Sequence, residues 1–420
     1  MNRWIKILLL LISPLLVFGQ YAPYPRNYFM FPIKPGQKNY LSGNMGELRT
    51  NHFHGGLDIK TDQRTGLPVY ASADGYVSRV AVAHKGYGNT LYITHPNGLV
   101  TVYAHLEWFN GAIGKYVKEY LYNEQCNEVD MKIAPGTLPV KKGDIIAWSG
   151  NTGSSGGPHL HWEIRDEEER LLNPMFFDFD ELQDNLPPVI NKIALRTLDI
   201  NSRVAGEFGR IEYIPGRGLL EQYVLNYPIY ARGTLGLEIV AYDKMNNTGN
   251  LYGVSLIEVQ MDGKLIFSHD IQRIGFDENP YINVHIDYET ALSKRNFFQR
   301  CYRVDGNALK TYNDKLDGKI YLNGTLYHDV IVKVVDAYRN FSVLRFKLKG
   351  TRVDKVIAAA PAPSPKSKSK SKTKQVKIVP VIKHYEYENI LKMEVPGNNS
   401  EVASLFFKGR KIDVPAAYKK

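Results

Sequence analysis

Cysteine is almost absent from this chain of 420 residues, with only Cys126 and Cys301 present. Two thiols so far apart exclude a disulfide-stapled scaffold and a thiolate metal site, and a bridge between them is not expected. Long hydrophobic runs are equally scarce. The one such run, residues 7–18, is broken by Pro14 and falls short of the roughly 20 apolar residues of a membrane-spanning helix. Arg3 and Lys6 precede it, and Val17 and Gly19 stand at the −3 and −1 positions of a cleavage site, so residues 1–19 read as a signal peptide. An uncleaved anchor is the other reading. No Cys follows Gly19, which argues against a lipoprotein, and no second run would leave a transmembrane helix in the mature chain. The HExxH word of helix-borne zinc sites is missing, and no Lys-Ser/Thr follows the glycine-rich stretch 150–158, which excludes a phosphate loop. No base-stacking or groove-binding motif supports nucleic acid as a partner. Acidic residues are fewer than basic ones, 43 against 53, for a net charge of +10. Lys366, Lys368, Lys370, Lys372, Lys374 and Lys377 supply six of the positive charges with no acid between them. Such a run either adheres to anionic envelope polymers or stays an extended, solvated linker.

What is present is concentrated in two short words. Asn51-His52-Phe53-His54-Gly55-Gly56-Leu57-Asp58 offers imidazole and carboxylate four positions apart across a Gly-Gly bend. Gly157-Pro158-His159-Leu160-His161-Trp162-Glu163 places two imidazoles at i and i+2. On a strand, that spacing sends His159, His161 and Glu163 to one face and Leu160, Trp162 and Ile164 to the other. An isolated His-x-His is more often an ordinary polar face. Here it follows a glycine- and serine-rich loop and has upstream partners, which favours a site. Two His and one Asp leave one of zinc's four positions open to water, as in catalytic rather than structural sites. The chemistry indicated is hydrolysis.

His54-x-Gly56-x-Asp58, Val102-Tyr103-Ala104-His105-Leu106 and His159-Leu160-His161 resemble, in order, the three signature segments of the lysostaphin/LytM-type zinc endopeptidases. Gly66-Leu67-Pro68-Val69-Tyr70-Ala71, Ala73-Asp74-Gly75-Tyr76-Val77, Gly86-Tyr87-Gly88-Asn89 and Val140-Lys141-Lys142-Gly143-Asp144 fit between them. The resemblance covers residues 45–175 and departs from the family pattern in an added block around 116–138. It implies that His54, Asp58 and His161 bind Zn2+, with His159 and His105 unligated beside the metal. His159 is then the general base or water-orienting group and His105 the transition-state stabiliser, roles that the sequence leaves exchangeable. Asn89, Tyr103 and Ser155 are candidates to line the cleft. His52 is a competing ligand, and His84 and His95 are expected at the surface. The implied activity is zinc metalloendopeptidase action on stem peptides or cross-bridges of peptidoglycan, in the periplasm or outside the cell. A non-catalytic member that activates other wall hydrolases is the alternative.

The fold expected is mostly β: an antiparallel LytM-type catalytic domain followed by an immunoglobulin-like β-sandwich region, either two modules or one sandwich with long loops. Short β-branched and aromatic runs at 77–82, 90–95, 99–105, 145–148 and 159–164 are separated by glycine, with Pro96-Asn97-Gly98 as a hairpin turn. Residues 113–125 carry apolar side chains at helical intervals, reading as a short helix that is either a rim of the site or a surface insertion. The metallopeptidase domain, with an irregular approach segment over 20–50, is assigned to 20–185. The sandwich is assigned to 186–350, from runs at 189–195, 235–243, 256–261, 264–268, 281–287, 319–323, 330–335 and 342–348. It would position the enzyme in the envelope or bind envelope proteins. Within it Val240-Ala241-Tyr242-Asp243, followed by Asn246, and Val334-Val335-Asp336, followed by Asn340, look like two uses of one strand-turn pattern. Residues 351–375 read as a disordered Ala/Pro/Ser/Lys linker, and 376–420 as a segment of unclear fold.

Overall fold

A computed structural model of the chain describes residues 25–218, 222–294 and 296–352, and the backbone of two short C-terminal hairpins, Lys383–Tyr387 with Ile390–Glu394 and Leu405–Phe407 with Arg410–Ile412. The signal-peptide and linker assignments fall outside the described residues. A first sheet runs in the order Leu41–Gly43, Leu57–Lys60, His159–Arg165, Val100–Phe109, Asn89–Thr94, Gly75–Val82, Pro139–Val140, antiparallel throughout. The alternating runs expected as strands are strands. At the Pro96-Asn97-Gly98 turn Gly98 takes φ +83°, and the His95 N–H donates to the Leu99 carbonyl at 2.9 Å.

The strand Val100–Phe109 changes partners along its length. Residues 100–104 pair with His159–Arg165, whereas 106–109 pair with Ile145–Ser149. His105 lies at the change and takes φ +59°, a left-handed conformation uncommon for a non-glycine residue. It bulges out of the ladder, as single residues do where a strand is bent. Leu160, Trp162 and Ile164 are fully buried on the core side, as the strand phase requires.

Three expectations need correction. The approach segment is not irregular throughout, because Leu41–Gly43 forms the sheet edge and Phe29, Phe31 and Ile33 are buried in the first core. The run at 281–287 is helical rather than extended: a 3-10 turn Phe276–Tyr281 leads into Ile282–His285. Glu278 starts it, its carboxylate accepting from the Gly275 N–H at 3.1 Å, so a local cap overrides the β-branched composition. His95 is buried, not at the surface. Its ring nitrogens reach the Asp74 carbonyl and the Thr101 hydroxyl, both at 2.8 Å, and burial lowers its pKa to about 4.

The added block forms the helix Gly111–Asn123, which buries Ile113 and Val117, and the strand Val129–Lys132, which extends the sheet beside Gly75–Val82. Glu128 accepts from the His84 N–H at 2.8 Å, tying the block to the loop before Asn89.

The second sheet has a spine of Arg210–Tyr213, Val189–Thr197, Ile229–Tyr242, Phe341–Gly350, Tyr327–Val335, Leu256–Met261 and Lys264–Asp270. Asp262 and Gly263, φ +51° and +77°, make the expected hairpin turn. Ile229–Tyr242 bends at Gly233, φ +80°, where a Cβ would collide with Ser202. Its first residues pair in parallel with Phe341–Gly350, and its later ones pair antiparallel with Val189–Thr197. The two cores interlock. Met45, Phe53 and Leu171 are buried in the second, Met245 and Tyr252 in the first. Leu171–Leu172 pairs with Arg273–Ile274 across the junction, and the Asn44 amide exchanges two hydrogen bonds with Gly253.

Candidate metal centre

Three adjacent strands assemble the site. His161 pairs directly opposite Asp58, so both side chains leave the same face of the sheet. On the other side His161 faces Ala104, next to the bulged His105. His54 arrives over the Gly55-Gly56 bend, where a Cβ on Gly56 would run into the Trp162 backbone. Only glycine permits that approach.

His54 Nε2, Asp58 Oδ1 and His161 Nδ1 form a triangle with edges of 2.9, 2.9 and 3.1 Å. A tetrahedral ion with bonds of about 2.0–2.1 Å needs edges of roughly 3.3 Å, so these are slightly tight. The far side of each ring fixes its tautomer. His54 Nδ1 lies 2.8 Å from the Asn44 carbonyl, which can only accept. His161 Nε2 lies 2.9 Å from the Glu163 carboxylate. Both remote nitrogens therefore carry hydrogen, and the two facing nitrogens present lone pairs to each other and to a carboxylate oxygen. Three lone pairs so close repel unless a cation lies among them, and this donor set fits a divalent metal.

The electrostatics agree. Burial works to raise the Asp58 carboxyl, yet His54 and the closely packed His159 and His161 hold it well below the usual range. Burial would lower His161, but Asp58 and Glu163 carry it up to about 9, so the pocket favours positive charge there, as a second proton on the ring or as a metal ion in that proton's place. Glu163 is fully buried, and against that burial Arg165, His161 and Tyr87 bring it down to about 2. Its oxygens accept from Tyr87 Oη at 2.6 Å and from Arg165 Nε and Nη2 at 2.8 and 2.5 Å. Arg49 reaches the second Asp58 oxygen at 3.2 Å. Glu163, Tyr87 and Arg165 were not assigned from sequence. For Glu163 the signal was available, since its strand phase matches His161. Arg165 shares that phase, whereas the contact of Tyr87 with Glu163, 76 residues away, has no local signal.

His159 and His105 flank the triangle without belonging to it. His159 Nε2 lies 3.4 Å from Asp58 Oδ1, with Nδ1 2.8 Å from the Gly157 carbonyl. His105 Nδ1 lies 2.8 Å from the Thr152 carbonyl. Both rings thus hold Nδ1–H against backbone and leave Nε2 bare, with centroids 4.8 Å apart. Burial, then His161 and His159, push His105 down to about 4, which keeps it neutral at pH 7.

Ser155 is half-buried beside His159, its hydroxyl 3.3 Å from Nδ1. Asn89 donates its amide to the Glu107 carbonyl at 3.1 Å and takes Thr152 Oγ1 on its backbone N–H, so it braces the 150–157 loop. Tyr103 does not face a cleft. It is fully buried, its hydroxyl accepting from the Ser72 N–H and from Thr101, because the strand phase before the His105 bulge turns it into the core. His52 is exposed and lies outside the triangle.

The family described as Peptidase family M23 matches residues 52–121. The DD-carboxypeptidase/endopeptidase Mpg of Neisseria meningitidis serogroup B is 37% identical over 118 residues, 28% of this chain and 21% of that protein. Lysostaphin of Staphylococcus simulans is 28% identical over 138 residues, 32% of this chain and 22% of that protein. The chain thus spans about a fifth of the length of the curated relatives it matches. The solved catalytic domain of lysostaphin from Staphylococcus simulans aligns at 25% identity over 34% of this chain and 91% of that one, with a TM-score of 0.25. The chain carries a Peptidase M23 domain of the LytM/lysostaphin family.

Proposed function

We propose that the protein is an exported zinc metalloendopeptidase that cleaves peptide bonds in the stem peptides or cross-bridges of peptidoglycan. The observation that carries this reading is the convergence of three lone-pair donors, His54 Nε2, Asp58 Oδ1 and His161 Nδ1, with two further imidazoles presenting bare Nε2 atoms beside them. Zinc held by the three would acidify a water and polarise a scissile carbonyl. His159, nearest the triangle, accepts the water's proton at Nε2 and passes it to the leaving amine. His105, fixed by Thr152 beside His159, is the candidate stabiliser of the transition state. Glu163 orients His161, and Arg165 and Tyr87 hold Glu163. We further propose that the 186–350 unit positions the catalytic unit in the envelope, and that the basic run at 366–377 favours anionic wall polymers.

The test is metal content together with digestion of purified peptidoglycan. Mature protein should hold about one zinc per chain. His161→Ala and Asp58→Ala should lose both zinc and release of peptide fragments. His159→Ala should keep zinc and lose about 10²–10⁴-fold in rate. Digestion unchanged by Asp58→Ala would end the enzymatic reading. Zinc binding with no digestion, but acceleration of an added amidase, would instead make this a non-catalytic activator.

A further inference from the structure

We infer that the junction between the two sheets holds a second cation site, a calcium-class site formed by Asp184, Asp243 and Asp336. The inference is independent of the peptidase reading. The two strand-turn words around Asp243 and Asp336 lie almost a hundred residues apart, yet the fold brings both aspartates together with Asp184 of the connecting segment. One carboxylate oxygen from each lies within 4.8 Å of the others, and all three residues are buried.

The polar accounting around them is incomplete. Asp243 is 1% exposed and Asp184 9%, and Asp243 Oδ1 and Asp184 Oδ2 have no hydrogen-bond partner. None of the three carboxylates forms an ion pair among the described residues. Burying unpaired carboxylates against one another is costly unless something positive lies between them. The charge is either protons shared among the carboxyls or a cation. The surrounding loops favour a built site. Asn340 donates its backbone N–H and side-chain amide to the two oxygens of Asp336, at 2.9 and 2.8 Å, and also reaches the Asp184 carbonyl at 3.4 Å. Asn185 and Asn246 exchange reciprocal 2.9 Å bonds. Three segments are thus latched around an all-oxygen donor set. Oxygen donors without nitrogen or sulfur select a hard ion, and calcium accepts irregular carboxylate geometry more readily than magnesium. Such an ion would clamp the 336–340 turn, where Ala337 and Tyr338 pack on the first core, against the end of the catalytic unit.

The experiment is calorimetric titration of calcium chloride into the full mature chain, kept zinc-loaded so that the histidine site is occupied. The expected result is one calcium per chain and a rise in Tm of about 5 °C at saturating calcium. Asp243→Asn and Asp336→Asn should weaken calcium binding at least tenfold, whereas Asp58→Asn should leave it unchanged even if it abolishes digestion. Should the aspartate variants fail to fold, terbium luminescence of the wild-type protein, sensitised by nearby tyrosine and displaced by calcium, reads the same site. Absence of calcium binding and of displaceable terbium, or equal binding in Asp243→Asn, would overturn the proposal in favour of shared protons.

Discussion

Each residue at the candidate metal centre is defined as much by what holds it as by what it faces. Both candidate ligand histidines have the nitrogen away from the triangle committed, one to a backbone carbonyl and one to Glu163. That choice leaves the facing nitrogens without hydrogen, the only form in which imidazole can hold a metal. Glu163 therefore acts through His161. Glu163→Gln keeps shape and volume but removes the charge that orients the ring, and is expected to weaken metal affinity about 10–100-fold. Competition with a chelator of known affinity checks this. Equal affinity in the variant would show that the ring is held by packing alone.

At the scale of the elements, the site depends on three strands meeting in one register. A slip of one residue between Leu57–Lys60 and His159–Arg165 would turn Asp58 away from His161, since side chains alternate between faces. The bend at Gly55-Gly56 permits this register, and Gly56→Ala forces a methyl into the Trp162 backbone. The substitution is expected to cost about 1–3 kcal/mol of stability, as overpacking does, and to lower zinc content with it. Urea denaturation and metal analysis on one preparation test both effects. Normal zinc content in a destabilised variant would separate the bend from the site. The alternation of these strands was readable from sequence because periodicity is local. The His105 bulge was not, because it arises where one strand exchanges one partner for another, and neither partner is near in sequence.

The whole molecule is joined through interlocked cores, so the pH response of the second unit is felt by the first. His269 and His285 are buried side by side, ring centroids 4.5 Å apart. Burial holds His269 well below its ordinary value and brings His285 to about 4. Both pKa values are depressed, so the unfolded chain binds more protons than the folded one below about pH 6.5. Stability is accordingly undiminished above that pH and falls as pH drops through the window from 6.5 to about 4, by about 3 kcal/mol for His285 alone. His285→Gln should flatten this slope in urea midpoints measured between pH 7 and 4.5. An unchanged slope would assign the acid sensitivity to other groups.

The chain's own residues, taken in order, determined the donor types, the strand phase that buries Leu160, Trp162 and Ile164, and the hairpin turns at Gly98 and Asp262-Gly263. All of these follow from backbone preferences acting over a few residues. Tertiary structure alone decided that Tyr103 packs inward, that His95 is buried, that Tyr87 reaches Glu163, and that Asp184 joins Asp243 and Asp336. The physical reason is that these outcomes depend on register and contact between segments tens to hundreds of residues apart, where burial and charge are set by neighbours that a local pattern does not contain.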